Sequence, residues 1–150
     1  MCKLSNLETL IWRRISGTSP VSLPYAIWNL NKLRHLQLED ELCNSYYFRF
    51  PDNNLDNYSQ LYDMDFLYGI YLNPRENINK LLGKFPNIRK LRSSLDLDES
   101  YKYHVAIERL RQLESLNLSC DIYPDGPYQF NIQYPSAIKK LTLSCFLKKV

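Results

Sequence analysis

The 150-residue chain is 45% hydrophobic and 23% charged, which supports one buried core and excludes a disordered composition. Its 19 basic and 16 acidic residues leave a net charge of +3, too small and too scattered to indicate nucleic-acid or membrane binding. No stretch reaches the roughly 18 uninterrupted apolar residues of a transmembrane helix, and Met1 to Asn6 carry no apolar export core.

An internal repeat of the form LxxLxxLxL organises the chain. It begins on Leu4, Leu7, Leu10 and Trp12, with a strand predicted near Glu8 to Trp12, and returns on Leu30, Leu33, Leu36 and Leu38, with a strand near Arg34 to Leu38. The third unit is placed on Leu55, Tyr58, Leu61 and Asp63, with a strand near Ser59 to Asp63. It is the weakest, because Asp63 fills a core slot and Met64 to Leu72 fill an enlarged gap along which the strand continues toward Leu67 or shifts register. A short helix is expected at Ile78 to Lys84, then a fourth unit on Phe85, Ile88, Leu91 and Ser93 with a strand near Arg89 to Ser93. A second short helix, His104 to Leu110, leads into a fifth unit on Leu110, Leu113, Leu116 and Leu118 with a strand near Glu114 to Leu118. The sixth falls on Pro135, Ile138, Leu141 and Leu143 with a strand near Lys139 to Leu143.

Of the 24 slots, 21 are apolar, where composition alone gives about 11. The closing LxL alternates with period two, so its leucines enter a core while their neighbours face solvent, as in a half-buried strand. The upstream LxxLxx has turn-like or helical spacing. One unit cannot bury its apolar side alone, but stacked units form a parallel sheet backed by a continuous core. The expected fold is an α/β solenoid: a leucine-rich repeat horseshoe arc with a parallel sheet on the concave face and short helices or loops on the convex face. Residues 1–150 are expected to form a single leucine-rich repeat domain of about six repeats. The asparagine or cysteine that usually turns the chain after such a strand is replaced by Ile15, Glu41, Phe66, Asp96, Asp121 and Phe146, so the turns should be irregular.

Residues alternating with the core leucines are not dictated by the fold and carry any binding specificity. They form three rows: Thr9, His35, Gln60, Lys90, Ser115 and Lys140; Ile11, Gln37, Tyr62, Arg92, Asn117 and Thr142; Arg13, Glu39, Met64, Ser94, Ser119 and Ser144. The candidate protein-binding residues on this concave face are His35, Gln37, Tyr62, Lys90, Arg92, Asn117, Lys140 and Thr142. Lys90, Arg92 and Lys140 give the rows a basic centre, and Ile11, Tyr62 and Met64 offer apolar anchors of the kind interfaces use.

Catalytic and cofactor chemistry finds little support. His35 is placed on an exposed strand face and His104 at a helix start, with no nucleophile or base held beside either. Cys2, Cys43, Cys120 and Cys145 show neither CxxC nor metal-ligand spacing; Cys120 and Cys145 share one offset in adjacent units and are expected to stack as buried thiols. The acceptor-like triplets at Asn57 and Asn117 are read as chance matches in a chain without an export signal. Tyr46-Tyr47-Phe48-Arg49-Phe50 is expected to pack over the core edge and not to stack on nucleic-acid bases. No cofactor, metal, nucleic acid or small-molecule substrate is expected.

The segment from Ser22 to Leu36, with Leu23-Pro24, Ile27-Trp28 and Leu33-Arg34-His35-Leu36, resembles a phrase of plant nucleotide-binding leucine-rich-repeat resistance proteins. Lys84-Phe85-Pro86-Asn87-Ile88-Arg89-Lys90-Leu91 and Tyr134-Pro135-Ser136-Ala137-Ile138-Lys139-Lys140-Leu141 are similar to units of the coiled-coil class, especially late blight resistance homologues of the nightshade family. The resemblance covers nearly the whole chain but only the repeat domain of that class. It implies a non-enzymatic protein-interaction domain, a fragment of a larger cytoplasmic immune receptor peripheral to membranes at most, serving pathogen recognition or autoinhibition. The implied partners are proteins: a pathogen effector, a guarded host protein, or the receptor's own nucleotide-binding domain. None of the four glycines lies in a phosphate-binding GxxxxGK[ST] loop, so the nucleotide switch of that class is not in these residues. The alternatives are a substrate adaptor of a ubiquitin ligase, for which no docking segment is found, and a truncated remnant without independent activity.

Overall fold

The computed structural model describes residues 4–15, 21–40, 48–51, 53–73, 78–96, 103–122 and 130–147. In chain order the strands are β1 (Thr9–Arg14), β2 (Val21–Ser22), β3 (His35–Asp40), β4 (Phe48–Arg49), β5 (Phe66–Leu72), β6 (Lys90–Asp96), β7 (Tyr103–Ala106), β8 (Ser115–Ile122), β9 (Phe130–Gln133) and β10 (Lys140–Leu147). Six of them form one open parallel sheet in the order β1-β3-β5-β6-β8-β10. β2, β4 and β5 make a small side ladder, and β7 pairs with β9 in a separate parallel pair. The helix at α1 (Ile78–Leu82) falls where spacing predicts one.

The three-residue spacing upstream of each strand has a direct cause. In all six units the N–H of the second apolar position donates to the carbonyl of the first: Leu7 to Leu4, Leu33 to Leu30, Met64 to Leu61, Ile88 to Phe85, Leu113 to Leu110 and Ile138 to Pro135, at 2.9–3.3 Å. These i to i+3 turns place two side chains on the same inner face before the strand begins. Leu33, Leu36, Leu38, Leu61, Leu67, Phe85, Leu113, Leu116 and Leu118 are completely buried and belong to one continuous core.

The third unit lies six residues beyond its predicted place, starting at Leu61 and not Leu55. Residues Ser59 to Asp63 are not a strand. The error is intelligible: Leu55, Tyr58, Leu61, Met64 and Leu67 continue the three-residue spacing without a break, so spacing alone leaves the frame ambiguous. Leu55 opens a 3-10 turn (Leu55–Asn57), and Met64, predicted on the sheet face, is buried in the core.

Two further expectations are corrected. His104 to Leu110 is not a helix: β7 runs to Ala106 and a single 3-10 turn covers Ile107–Arg109, because the backbone at Tyr103 to Ala106 is held by a parallel ladder to β9. Strands β8 and β10 also outrun their predicted ends, staying in register through Asp121 and Phe146 to Ile122 and Leu147. With no asparagine there to turn the backbone, the ladder simply continues.

A bulge interrupts β5. Register shifts between Tyr68 and Ile70, and the intervening Gly69 has φ +88°. A Cβ at Gly69 would lie 2.0 Å from the Leu38 carbonyl oxygen, so only glycine lets β3 approach here. Beyond the bulge β5 leaves β3, and Ile70 pairs with Phe48 of β4.

Behind the sheet an aromatic group joins three units. Trp28 lies 5.1 Å from Phe50 and 6.0 Å from Phe85, and Phe50 lies 5.1 Å from Phe85 between ring centroids. The Trp28 indole N–H donates to the Pro51 carbonyl at 3.1 Å, satisfying its one polar atom in the core. Phe48 and Phe50 are buried, so the described part of the Tyr46 to Phe50 stretch packs into the core, as expected; Tyr46 and Tyr47 lie outside the described residues.

Candidate protein-interaction surface

Strand register aligns the outward side chains into rows. The first runs Thr9, His35, Phe66, Lys90, Ser115 and Lys140, and the second Ile11, Gln37, Tyr68, Arg92, Asn117 and Thr142. Seven of the eight predicted face residues therefore stand in these rows. Tyr62 does not: it sits in the turn ahead of β5, 59% exposed, where its carbonyl accepts the Asn87 side-chain N–H at 3.0 Å. Gln60 likewise lies off the sheet, donating to the Gly83 carbonyl at 2.9 Å. Their places belong to Phe66 and Tyr68, which the triad ending at Leu67 would have revealed had the frame been set there.

The correction puts aromatic rings at the centre of the face. Phe66 meets His35 edge-on at 6.4 Å and lies 6.0 Å from Tyr68. The Arg92 guanidinium carbon sits 4.4 Å from the centre of the Tyr68 ring, and the same guanidinium donates to the Tyr68 hydroxyl. On the β1 side, Arg13 and Glu39 form a 2.6 Å ion pair, and Glu39 also accepts from Gln37, so this carboxylate is already engaged. Over the first two outward positions of β6, β8 and β10 stand Lys90, Arg92, Ser115, Asn117, Lys140 and Thr142: three cations and no carboxylate. The face thus combines an aromatic ridge with a positive flank.

A second feature lies along the rim where the strands begin. The residue immediately before each sheet strand is Glu8, Arg34, Asp65, Arg89, Glu114 and Lys139, alternating in charge across the whole sheet. Each carbonyl from Glu8 to Glu114 accepts two N–H groups from the next unit, as Asp65 does from Arg89 at 2.9 Å and Lys90 at 3.0 Å. That fixed backbone spacing brings the side chains together: Asp65 lies 3.9 Å from both His35 and Arg89, and Glu114 lies 3.1 Å from Arg89 and 3.3 Å from Lys139. Hydrogen bonds from Lys139, then Arg89, hold the Glu114 carboxyl below its ordinary pKa of 4.5. Reading the rows alone missed this rim, although the alternation is visible once units are aligned. At its β1 end, Glu8, Lys32, Arg34 and Asp63 border a shallow cavity of about 390 Å³ whose two acids and two bases balance.

Among the described residues no three His, Cys, Asp or Glu side chains come together as metal ligands. Cys120 is a buried thiol, and its backbone partner in the next strand is Cys145, the register that the shared offset predicts. The chemistry this surface offers is that of contact: ion pairing, cation–π contact and hydrogen bonding.

A late blight resistance protein homologue of Solanum demissum is 36% identical over 148 residues, which is 95% of this chain and 12% of the relative. The chain corresponds to a region of the late blight resistance protein family. A second such homologue of the same plant is 38% identical over 119 residues, 77% of this chain and 8% of the relative. A late blight resistance protein from that plant is 34% identical over 118 residues, again 77% of this chain and 9% of the relative. The chain thus spans only about a tenth of the length of these late blight resistance relatives. No protein-family model matches it, and no solved structure does. Among its described residues no helix is long and apolar enough to cross a membrane.

Proposed function

We propose that this region is a non-enzymatic protein-interaction module of a plant disease-resistance receptor. In this reading residues 1–150 form one leucine-rich arc of about six units with the sheet on its concave face, and the receptor acts in the cytoplasm. The carrying observation is the aromatic and cationic face centred on Phe66, Tyr68, Lys90 and Arg92, with Lys140 beyond it. Aromatic rings and arginine are the groups most enriched at the energetic centre of protein interfaces. The clustering of Lys90, Arg92 and Lys140 on one flank favours an acidic segment on the partner, through both steering and final contact. Partners of this kind are the receptor's own nucleotide-binding domain, a pathogen effector or a guarded host protein.

The reading is tested by co-expressing the chain with the nucleotide-binding portion of a late blight resistance relative and measuring co-precipitation. Lys90→Glu, Arg92→Glu, Lys140→Glu together should abolish capture with unchanged circular dichroism, and Tyr68→Ala should weaken it. A folded native chain that captures nothing would sink the intramolecular role.

A further inference from the structure

Eight outward side chains form a grid of two rows on four neighbouring strands: His35 and Gln37 on β3, Phe66 and Tyr68 on β5, Lys90 and Arg92 on β6, and Ser115 and Asn117 on β8. Each of these strands has another strand on both sides, so the grid is interior to the sheet. It is graded in chemistry across the strands. An aromatic column stands beside a cationic one, with the hydrogen-bonding Gln37 on one side and Ser115 and Asn117 on the other. None of the eight is acidic, and the rim acids Asp65 and Glu114 are engaged by His35, Arg89 and Lys139.

The spacing of the grid restricts what it fits. Neighbouring strands lie about 4.8 Å apart, so a ligand crossing them meets a ring first and a cation about 5 Å later. In an extended chain successive side chains point to opposite sides, and those two residues apart, separated by about 6.7 Å, share a side. An apolar residue over Phe66 and Tyr68 therefore places the side chain two positions along between β6 and β8, beside Ser115 and Asn117. Lys90, exposed on a long flexible stem, reaches an anion there. An extended chain also brings backbone N–H and C=O groups that a helix would satisfy internally. Ser115 and Asn117 can each donate and accept, which suits such a backbone.

We infer that the partner segment held by this face is extended, crosses the strands, and carries an apolar and an acidic residue two positions apart. The apolar side chain lies on Phe66 and Tyr68, and Lys90 and Arg92 take the carboxylate. Tyr68 serves both columns, because its ring borders the apolar contact and carries the Arg92 guanidinium over it. This inference rests on the protein-interaction role proposed above and adds the conformation and spacing of the partner.

Capture of the full 150-residue chain by an array of immobilised nine-residue peptides tests it. The peptides share one composition, a single tryptophan and a single glutamate in a glycine and serine host, and differ only in the separation of those two residues. Separation by two should give capture about tenfold stronger than separation by one, the scale of one charge-assisted hydrogen bond. Replacing the tryptophan by alanine in the best peptide should lose that advantage, as should added salt. Lys90→Glu, at an exposed position, should lose it with unchanged circular dichroism, and Lys90→Arg should keep it. Equal capture at every separation, strongest capture at separations of three or four, or no capture at all overturns the inference. Capture of the nucleotide-binding portion without discrimination among peptides overturns it too, while leaving the interaction module standing. Discrimination among peptides without that capture supports it and removes only the intramolecular partner.

Discussion

Tyr68 and Arg92 are backbone partners on adjacent strands, and the guanidinium of one lies over the ring of the other with its carbon 4.4 Å from the ring centre. Both side chains stand on the outward face of the sheet, and their contact contributes to a defined posture there. A double-mutant cycle with Tyr68→Leu and Arg92→Met, read by urea denaturation, should give a coupling energy of about 0.5–1 kcal/mol. Coupling near zero would mean that the arginine is free to swing away.

Gly69 should tolerate no side chain. Gly69→Ala places a methyl group against the Leu38 carbonyl and forces alanine into φ +88°, so it should cost at least about 2 kcal/mol. Thermal denaturation measures the loss. A neutral substitution would show that β3 and β5 can separate at the bulge without penalty.

Ser93 occupies a core slot that is leucine in β3 and β8, is completely buried, and its hydroxyl has no hydrogen-bond partner. Ser93→Ala removes that orphaned polar atom with little loss of volume, and should raise stability by about 1 kcal/mol. A lower melting temperature would reveal a hydrogen bond formed in solution.

Acid should weaken the rim at Glu114. Its pKa is lowered in the folded state by Lys139 and Arg89, so its stabilising contribution is fully present above the ordinary value near 4.5 and is lost as pH falls through the lower folded value. The stability difference between the native chain and Glu114→Gln should therefore shrink on acidification, as followed by denaturation midpoints. A difference that persists at low pH would assign the effect to packing.

Much of this architecture is legible in the sequence because leucine spacing reports burial directly. The frames of the units at Leu30, Phe85 and Leu110, and the strands that follow them, are fixed by side chains that must enter a core. The third frame is not, because a three-residue spacing has no phase of its own, and Leu55 to Leu67 fits it continuously. That slip moved Tyr62 onto the face and hid Phe66 and Tyr68, which shows how one register choice decides which side chains are presented. The bulge escaped for a different reason: it depends on how closely Gly69 approaches Leu38, more than thirty residues earlier, and no local pattern encodes a distant carbonyl. His104 misled because Ala106 to Leu110 has helical spacing, whereas the ladder to β9 is a long-range pairing.

Because stacked units touch mainly their neighbours, such a chain has no obligation to melt all at once. The Trp28, Phe50 and Phe85 cluster changes that in the middle, since each ring comes from a different unit and none can leave without opening a cavity for the other two. Local opening should halt at this aromatic clasp, leaving β3, β5 and β6 as a cooperative block. Amide hydrogens there should exchange last, so the segment that carries Phe66, Tyr68 and Arg92 would keep its shape while units outside the clasp open.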